Sequence, residues 1–188
     1  MPDNACLRDD EIDAKGKIIF FVSASKLKKE LQEKFPCTSG INLQKVYPAT
    51  IKVEIATAGP IVKIAESVYS LTVDGKVIEN NSQVQLPVIY LPAGVNIENR
   101  QIIDENSLFA VKIASLLART DFRVAAIRVL GQEIVAYDAK QVTAHFSSQK
   151  DVSEQVDSLQ QTVAAARIDG DKITRIDLRF DKPVITFK

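Results

Sequence analysis

The 188-residue sequence has room for one domain or two small ones, and its 46% hydrophobic and 26% charged content is ordinary for a soluble globular protein. Its 24 Lys and Arg balance 24 Asp and Glu, so no net field recruits nucleic acid or acidic lipid. No apolar run approaches the ~20 residues of a membrane helix, and residues 1–13 are too polar and acidic for a signal peptide, so the chain reads as soluble.

In chain order, residues 7–12 suit a short acidic helix ended by Lys15-Gly16-Lys17, and residues 18–22 form an apolar run. Ser23 is a plausible N-cap for an amphipathic helix over residues 26–35, in which Leu27, Leu31 and Phe35 recur every four residues before Pro36 stops it. Residues 41–47 and 50–55 read as two strands joined through Pro48-Ala49, with Ile51, Val53 and Ile55 on one face. Ala58-Gly59-Pro60 closes this module, which places one domain at residues 1–59 and a second at 60–188. The two cysteines, Cys6 and Cys37, admit two readings. They are unrelated buried thiols, or a disulfide clamping the amino-terminal module in an oxidising compartment.

The second module is mostly strands. Residues 61–64 and 69–73 lead into Asp74-Gly75, the strongest short hairpin signal in the chain, and then into Lys76-Val77-Ile78. Residues 86–91 make another short strand, ended by Pro92-Ala93-Gly94. Asp104 or Asn106 can cap a helix running through Leu116, with Phe109, Ile113, Leu116 and Leu117 on its inner face. Strand-like runs follow at 122–130, 133–137 and 141–146. Ser148 with Asp151 makes a capping-box-like start for a helix with Val152, Val156, Leu159 and Val163 in a stripe, stopped at Gly170. This order predicts an α+β fold with helices on one face of an antiparallel sheet.

The sequence closes on a β-hairpin in which Ile176, Leu178 and Phe180 alternate with polar residues. A two-residue loop at Asp181-Lys182 would set Phe180 opposite Pro183, Leu178 opposite Ile185 and Ile176 opposite Phe187. Ile185 and Phe187 would then anchor the strand, while Val184 and Thr186 face away from the core with Asp177 and Arg179. A strand that opens with a proline is expected at a sheet edge, and an open edge is a template for a partner's strand.

Catalytic chemistry is sparse. His145, the single histidine, falls in the outward phase between inward Ala144 and Phe146 and reads as an exposed strand residue. One histidine and two distant cysteines do not make a closed zinc site, which takes four ligands. Neither a G-x-S-x-G, a P-loop nor a Rossmann fingerprint is present, and the low glycine content leaves no phosphate cradle. The carboxylate pairs Asp9-Asp10 and Asp104-Glu105 fall at expected helix starts, where they meet the helix dipole. The chain reads as non-enzymatic, with no catalytic residue, cofactor or metal.

Several motifs, in order, resemble the POTRA and β domains of the FtsQ/DivIB bacterial cell-division proteins. Leu27-x-x-x-Leu31-x-x-x-Phe35-Pro36 followed by Val46-Tyr47-Pro48-x-Thr50-Ile51-x-Val53 is similar to the family's proline-ended helix and strand–turn–strand. Thr57-Ala58-Gly59-Pro60 keeps the proline of the phrase that leads into the β domain and lacks its charges. The stretch Val73-Asp74-Gly75-Lys76-Val77, the strand Leu86-Pro87-Val88-Ile89 and the run Ile176-Asp177-Leu178-Arg179-Phe180 resemble successive β-domain motifs.

The resemblance implies a truncated POTRA domain (helix–helix–strand–strand) followed by the β domain. The family's cytoplasmic tail, membrane helix and first POTRA strand have no counterpart here. The expectation is an amino-terminally shortened form, whether by design, as a gene fragment or through a misassigned start. It further implies a non-catalytic scaffold on the extracytoplasmic face of the cell membrane at the division septum, held there by an anchor that this chain lacks. The implied partners are FtsB/DivIC-like and FtsL-like single-pass proteins and, through them, the septal peptidoglycan synthase complex. Strand addition would involve Arg179, Val184, Ile185, Thr186 and Phe187, with the helix from Asp151 to Ala166 as a wall. Two alternatives stand beside it: a POTRA-containing module of a secretion or outer-membrane assembly system, and a small-molecule or lipid carrier with a sizeable apolar cavity.

Overall fold

A computed structural model describes residues 23–34, 38–48, 50–79, 85–95, 97–98, 101–169 and 173–187. The expected helix at 7–12, the run at 18–22, Asp9-Asp10, Cys6 and Cys37, the Phe35-Pro36 stop and Gly170 lie outside them. By internal contacts the chain divides into two units, Met1–Gly59 and Pro60–Lys188. The described residues form a mixed α+β structure with three helices and one large sheet.

In the first unit, helix α1 (Ala24–Lys34) starts where the Ser23 hydroxyl accepts the Lys26 N–H at 3.4 Å. Strands β1 (Thr38–Val46) and β2 (Thr50–Thr57) pair antiparallel, joined through a cis Tyr47–Pro48 peptide. Leu27 and Leu31, one turn apart on α1, bury against Ile41, with Leu43, Ile51 and Val53 half-buried around them. The outward residues of β2, Lys52 and Glu54, form an ion pair at 2.7 Å.

The second unit is built on a nine-stranded sheet. Its strands are β3 (Val62–Ile64), β4 (Tyr69–Leu71), β5 (Val77–Glu79), β6 (Val88–Tyr90), β9 (Val124–Leu130), β10 (Glu133–Asp138), β11 (Thr143–Ser147), β12 (Ile173–Asp177) and β13 (Val184–Phe187). The spatial order is β13-β12-β11-β10-β9-β6-β3-β4-β5. A separate two-stranded piece pairs β7 (Ile97–Glu98) with β8 (Gln101–Ile102). The wholly antiparallel sheet expected from the strand count is corrected here. The pairs β3–β6, β6–β9 and β11–β12 are parallel. Helix α2 (Glu105–Leu117) lies in the connection from β6 to β9, and helix α3 (Val152–Asp169) in that from β11 to β12. A chain that crosses the sheet through a helix returns in the direction it left.

One continuous row of inward residues runs across the sheet through Ile89, Ile127, Ala136, Ala144, Ile176 and Ile185. The first five are fully buried and join Val111, Ile113 and Leu117 of α2 and Val156 and Leu159 of α3 in a single core. Both helices therefore cover one face. On the other face Val135 is buried among its cross-strand neighbours without belonging to that core.

Helix α2 is capped by Asp104, whose carboxylate accepts the Ser107 N–H at 2.7 Å. Its deepest residues are Ala110, Val111, Ile113, Ala114 and Leu117, whereas Phe109 and Leu116 are only half-buried. Ile113 and Leu117 are buried as expected, while Ala110, Val111 and Ala114 share the inner face in place of Phe109 and Leu116. The start of α3 is also corrected. Asp151 is itself the cap, accepting the N–H groups of Ser153 and Glu154 at 2.8 and 2.9 Å, rather than answering a cap at Ser148.

The β4–β5 turn holds Gly75 at φ +77°, with the Gly75 N–H bonded to the Thr72 carbonyl at 2.9 Å. An added Cβ there would stand 2.2 Å from Leu108 Cδ2, a movable side-chain end, so it is the backbone conformation that selects glycine.

Candidate docking edge

The last hairpin pairs in a register different from the expected one. Ile176 faces Ile185, Asp177 faces Val184 and Arg175 faces Thr186, so residues 178–183 form the connection instead of a two-residue turn. Polar contacts that cross the sheet accompany this register. At Leu178 the backbone N–H bonds the His145 carbonyl at 2.8 Å, tying the chain to β11. At Arg179 the backbone N–H turns to Asp177 Oδ1 at 3.2 Å, and its side chain follows with Nε to Oδ1 at 2.8 Å and Nη2 to Oδ2 at 2.6 Å. The strand is diverted at this point, and Phe180, expected on the buried face, is 57% exposed.

The network continues across three strands. Arg179 Nη1 reaches Glu133 Oε1 on β10 at 3.0 Å, and the same oxygen lies 2.6 Å from His145 Nδ1 on β11. Arg175 Nη2 donates to Asp177 Oδ2 at 2.8 Å. His145, expected to be exposed, is therefore half-buried and hydrogen-bonded. Its outward phase is as expected, but neighbouring long side chains roof it over.

Asp177 is 5% exposed and accepts from both arginines. The Arg179 side chain holds the Asp177 carboxyl well below the usual carboxylate range, against the opposing effect of burial. The same pair raises Arg179. Arg179, expected to face a partner, is occupied within the molecule.

Beyond this clamp, β13 occupies one end of the sheet order, and no strand among the described residues pairs with its outer side. Val184 and Phe187 are each 51% exposed, Thr186 is exposed and Ile185 is half-buried. Phe187 is therefore a weaker anchor than expected, since its partner Ile173 lies beyond a bulge in the pairing. Beside the strand runs a groove of ≈ 360 Å³ walled by Ser158, Thr162 and Ala165 of α3 and by Pro183, Ile185 and Phe187.

The opposite end of the sheet is finished differently. Next to β5, Lys76 bridges Gln101, and the Gly75 carbonyl accepts the Ile102 N–H at 3.0 Å. A short hairpin thus meets the chain just before β5.

Comparison with models of known protein families and with curated proteins returns no match. Among the described residues, no group of three or more His, Cys, Asp or Glu side chains is placed to hold a metal ion, and no helix is long and apolar enough to cross a membrane.

Sequence reasoning missed Gln155, which is buried at the start of α3. Its amide accepts the Ser147 N–H at 2.8 Å and donates to the Ser147 carbonyl at 2.9 Å, completing the end of β11 as another strand would. A glutamine beside an apolar stripe carries no signal of this in sequence, because its partner is a backbone rather than a side chain.

Proposed function

We propose that this chain is a non-catalytic scaffold that captures a partner segment by strand addition to β13. One observation carries the reading. At the β5 end a short hairpin bridges the chain just before the strand, whereas β13 offers its outer backbone beside a groove. An added strand gains affinity from main-chain hydrogen bonds and specificity from alternate side chains. Here one set of side chains would enter the groove over Ala165, and the other would lie beside Val184.

The resemblance of the ordered motifs to the FtsQ/DivIB proteins supplies the biological side of the proposal. The first unit would be a truncated POTRA domain and the second the β domain, acting on the extracytoplasmic face of the membrane at the division septum. The partner would be the extracytoplasmic segment of an FtsB/DivIC-like protein, with an FtsL-like protein and the septal peptidoglycan synthase complex joined through it. The alternative of a carrier with an apolar cavity draws no support from the sheet-and-helix interior, where the inward row is filled by fully buried side chains.

The test is removal of residues 183–188 from the chain, followed by titration with a soluble segment of an FtsB/DivIC-like protein. Loss of binding with an unchanged circular dichroism spectrum is expected. Undiminished binding by the folded truncation overturns the proposal.

A further inference from the structure

The terminal hairpin is compatible with two registers that differ by two residues along β12. In the structure Ile185 stands opposite Ile176. With a tight turn at Asp181-Lys182 it would stand opposite Leu178, and Phe187 would stand opposite Ile176. Because side chains alternate with a period of two, this slip leaves Ile185 on the helix face in both states. The usual barrier to slippage, moving apolar residues out to solvent, is absent.

Apolar burial would favour the slipped state, since it carries the exposed Phe180 onto the covered face. The polar network opposes it. Arg179 can meet Asp177 with its backbone N–H only while the chain bends away from β12 at residue 178, and the same bend carries its guanidinium to Glu133. Glu133 is in turn oriented by His145.

We propose that the Arg179–Asp177–Glu133 clamp selects the register of β13, so that these residues position the docking edge instead of contacting the partner themselves. The functional consequence rests on the strand-addition reading. A two-residue slip translates β13 by roughly 7 Å along the sheet. Phe187 would take the place of Ile185 opposite Ile176 and Ile185 would move opposite Leu178, so the near wall of the groove would be built from different side chains. A partner shaped for one register would then be refused by the other.

The experiment is solution NMR on the whole chain without any partner, comparing cross-strand backbone contacts at Ile185. The wild-type protein is expected to show contacts from Ile185 to Ile176. Arg179→Ala is expected to add a second set, from Ile185 to Leu178, with the slipped population rising at least about tenfold. A folded Arg179→Ala variant that retains the single Ile176 set overturns the proposal, as does one whose β13 detaches with no Leu178 contacts. A second variant, Asp181→Asn with Lys182→Gly, keeps the clamp and strengthens the tight turn. It too should raise the slipped set, and a spectrum confined to the original register counts against the idea. Since no partner is present, this outcome is independent of whether strand addition occurs.

Discussion

Arg179 grips Asp177, two residues before it, through Nε at 2.8 Å and Nη2 at 2.6 Å, a fork laid on a carboxylate that is almost wholly out of solvent. Planar two-point contacts of this kind are stronger and more directional than single ion pairs. Here the pair also interrupts a strand, which turns a stabilising contact into a geometric one.

Its pH dependence follows from the direction of the Asp177 shift. A carboxyl whose pKa is lowered on folding contributes stability in full above its unfolded pKa of about 3.9. That contribution is lost as the pH falls from there toward the folded value. Asp177→Asn should therefore cost about 2 kcal/mol at pH 7, and the difference from wild type should shrink steadily between about pH 4 and pH 2. Urea unfolding at a series of pH values measures this, and a gap that stays constant down to pH 2 would contradict it.

Gln155 offers a sharper case of a buried polar group. Gln155→Leu keeps side-chain bulk but leaves the Ser147 N–H without the bond that Oε1 supplies. The expected loss is about 1–3 kcal/mol, accompanied by faster amide exchange at Ser147. Wild-type stability in this variant would mean that the amide pair is incidental.

Two neighbouring residues at the start of α2 should respond in opposite directions. Asp104→Ala removes the acceptor for the Ser107 N–H and should cost about 1 kcal/mol. Ser107→Ala removes a fully buried hydroxyl that has no hydrogen-bond partner among the described residues. Because an unpaired buried hydroxyl is unfavourable and alanine suits a helix, stability should hold or rise by up to about 1 kcal/mol. Thermal melts of the two variants decide the point, and a matching loss in both would refute it.

Local elements were the most legible part of the sequence. The four-residue spacing of Leu27 and Leu31 locates α1, and Asp104 marks the start of α2 as expected. The alternation of residues 133–137 and 141–146 gives β10 and β11 almost to their ends. Parallel seams such as β3–β6 were not legible, since nothing local at Lys63 indicates that its neighbour will be Val88. The terminal hairpin shows a second limit. Alternation and turn length specify a sensible register, yet the register adopted comes with a clamp that includes Glu133, far away in sequence and adjacent in space. Val184 and Thr186 are solvent-facing, as the alternation indicated, and their edge position follows from the sheet order.

The sheet of the second unit consists of antiparallel stretches, β3–β4–β5, β9–β10–β11 and β12–β13, and the single strand β6, joined along parallel seams. Each stretch joins strands close in sequence and closes short loops, whereas the seams link segments separated by intervening chain. Local hairpins therefore form quickly, and the order in which they are stitched governs how long the nascent chain stays vulnerable to misassembly. β13 belongs to a hairpin that forms locally, but its neighbour β12 reaches the sheet only through the seam with β11. The proposed docking edge is thus completed only where that seam holds β12 in the sheet.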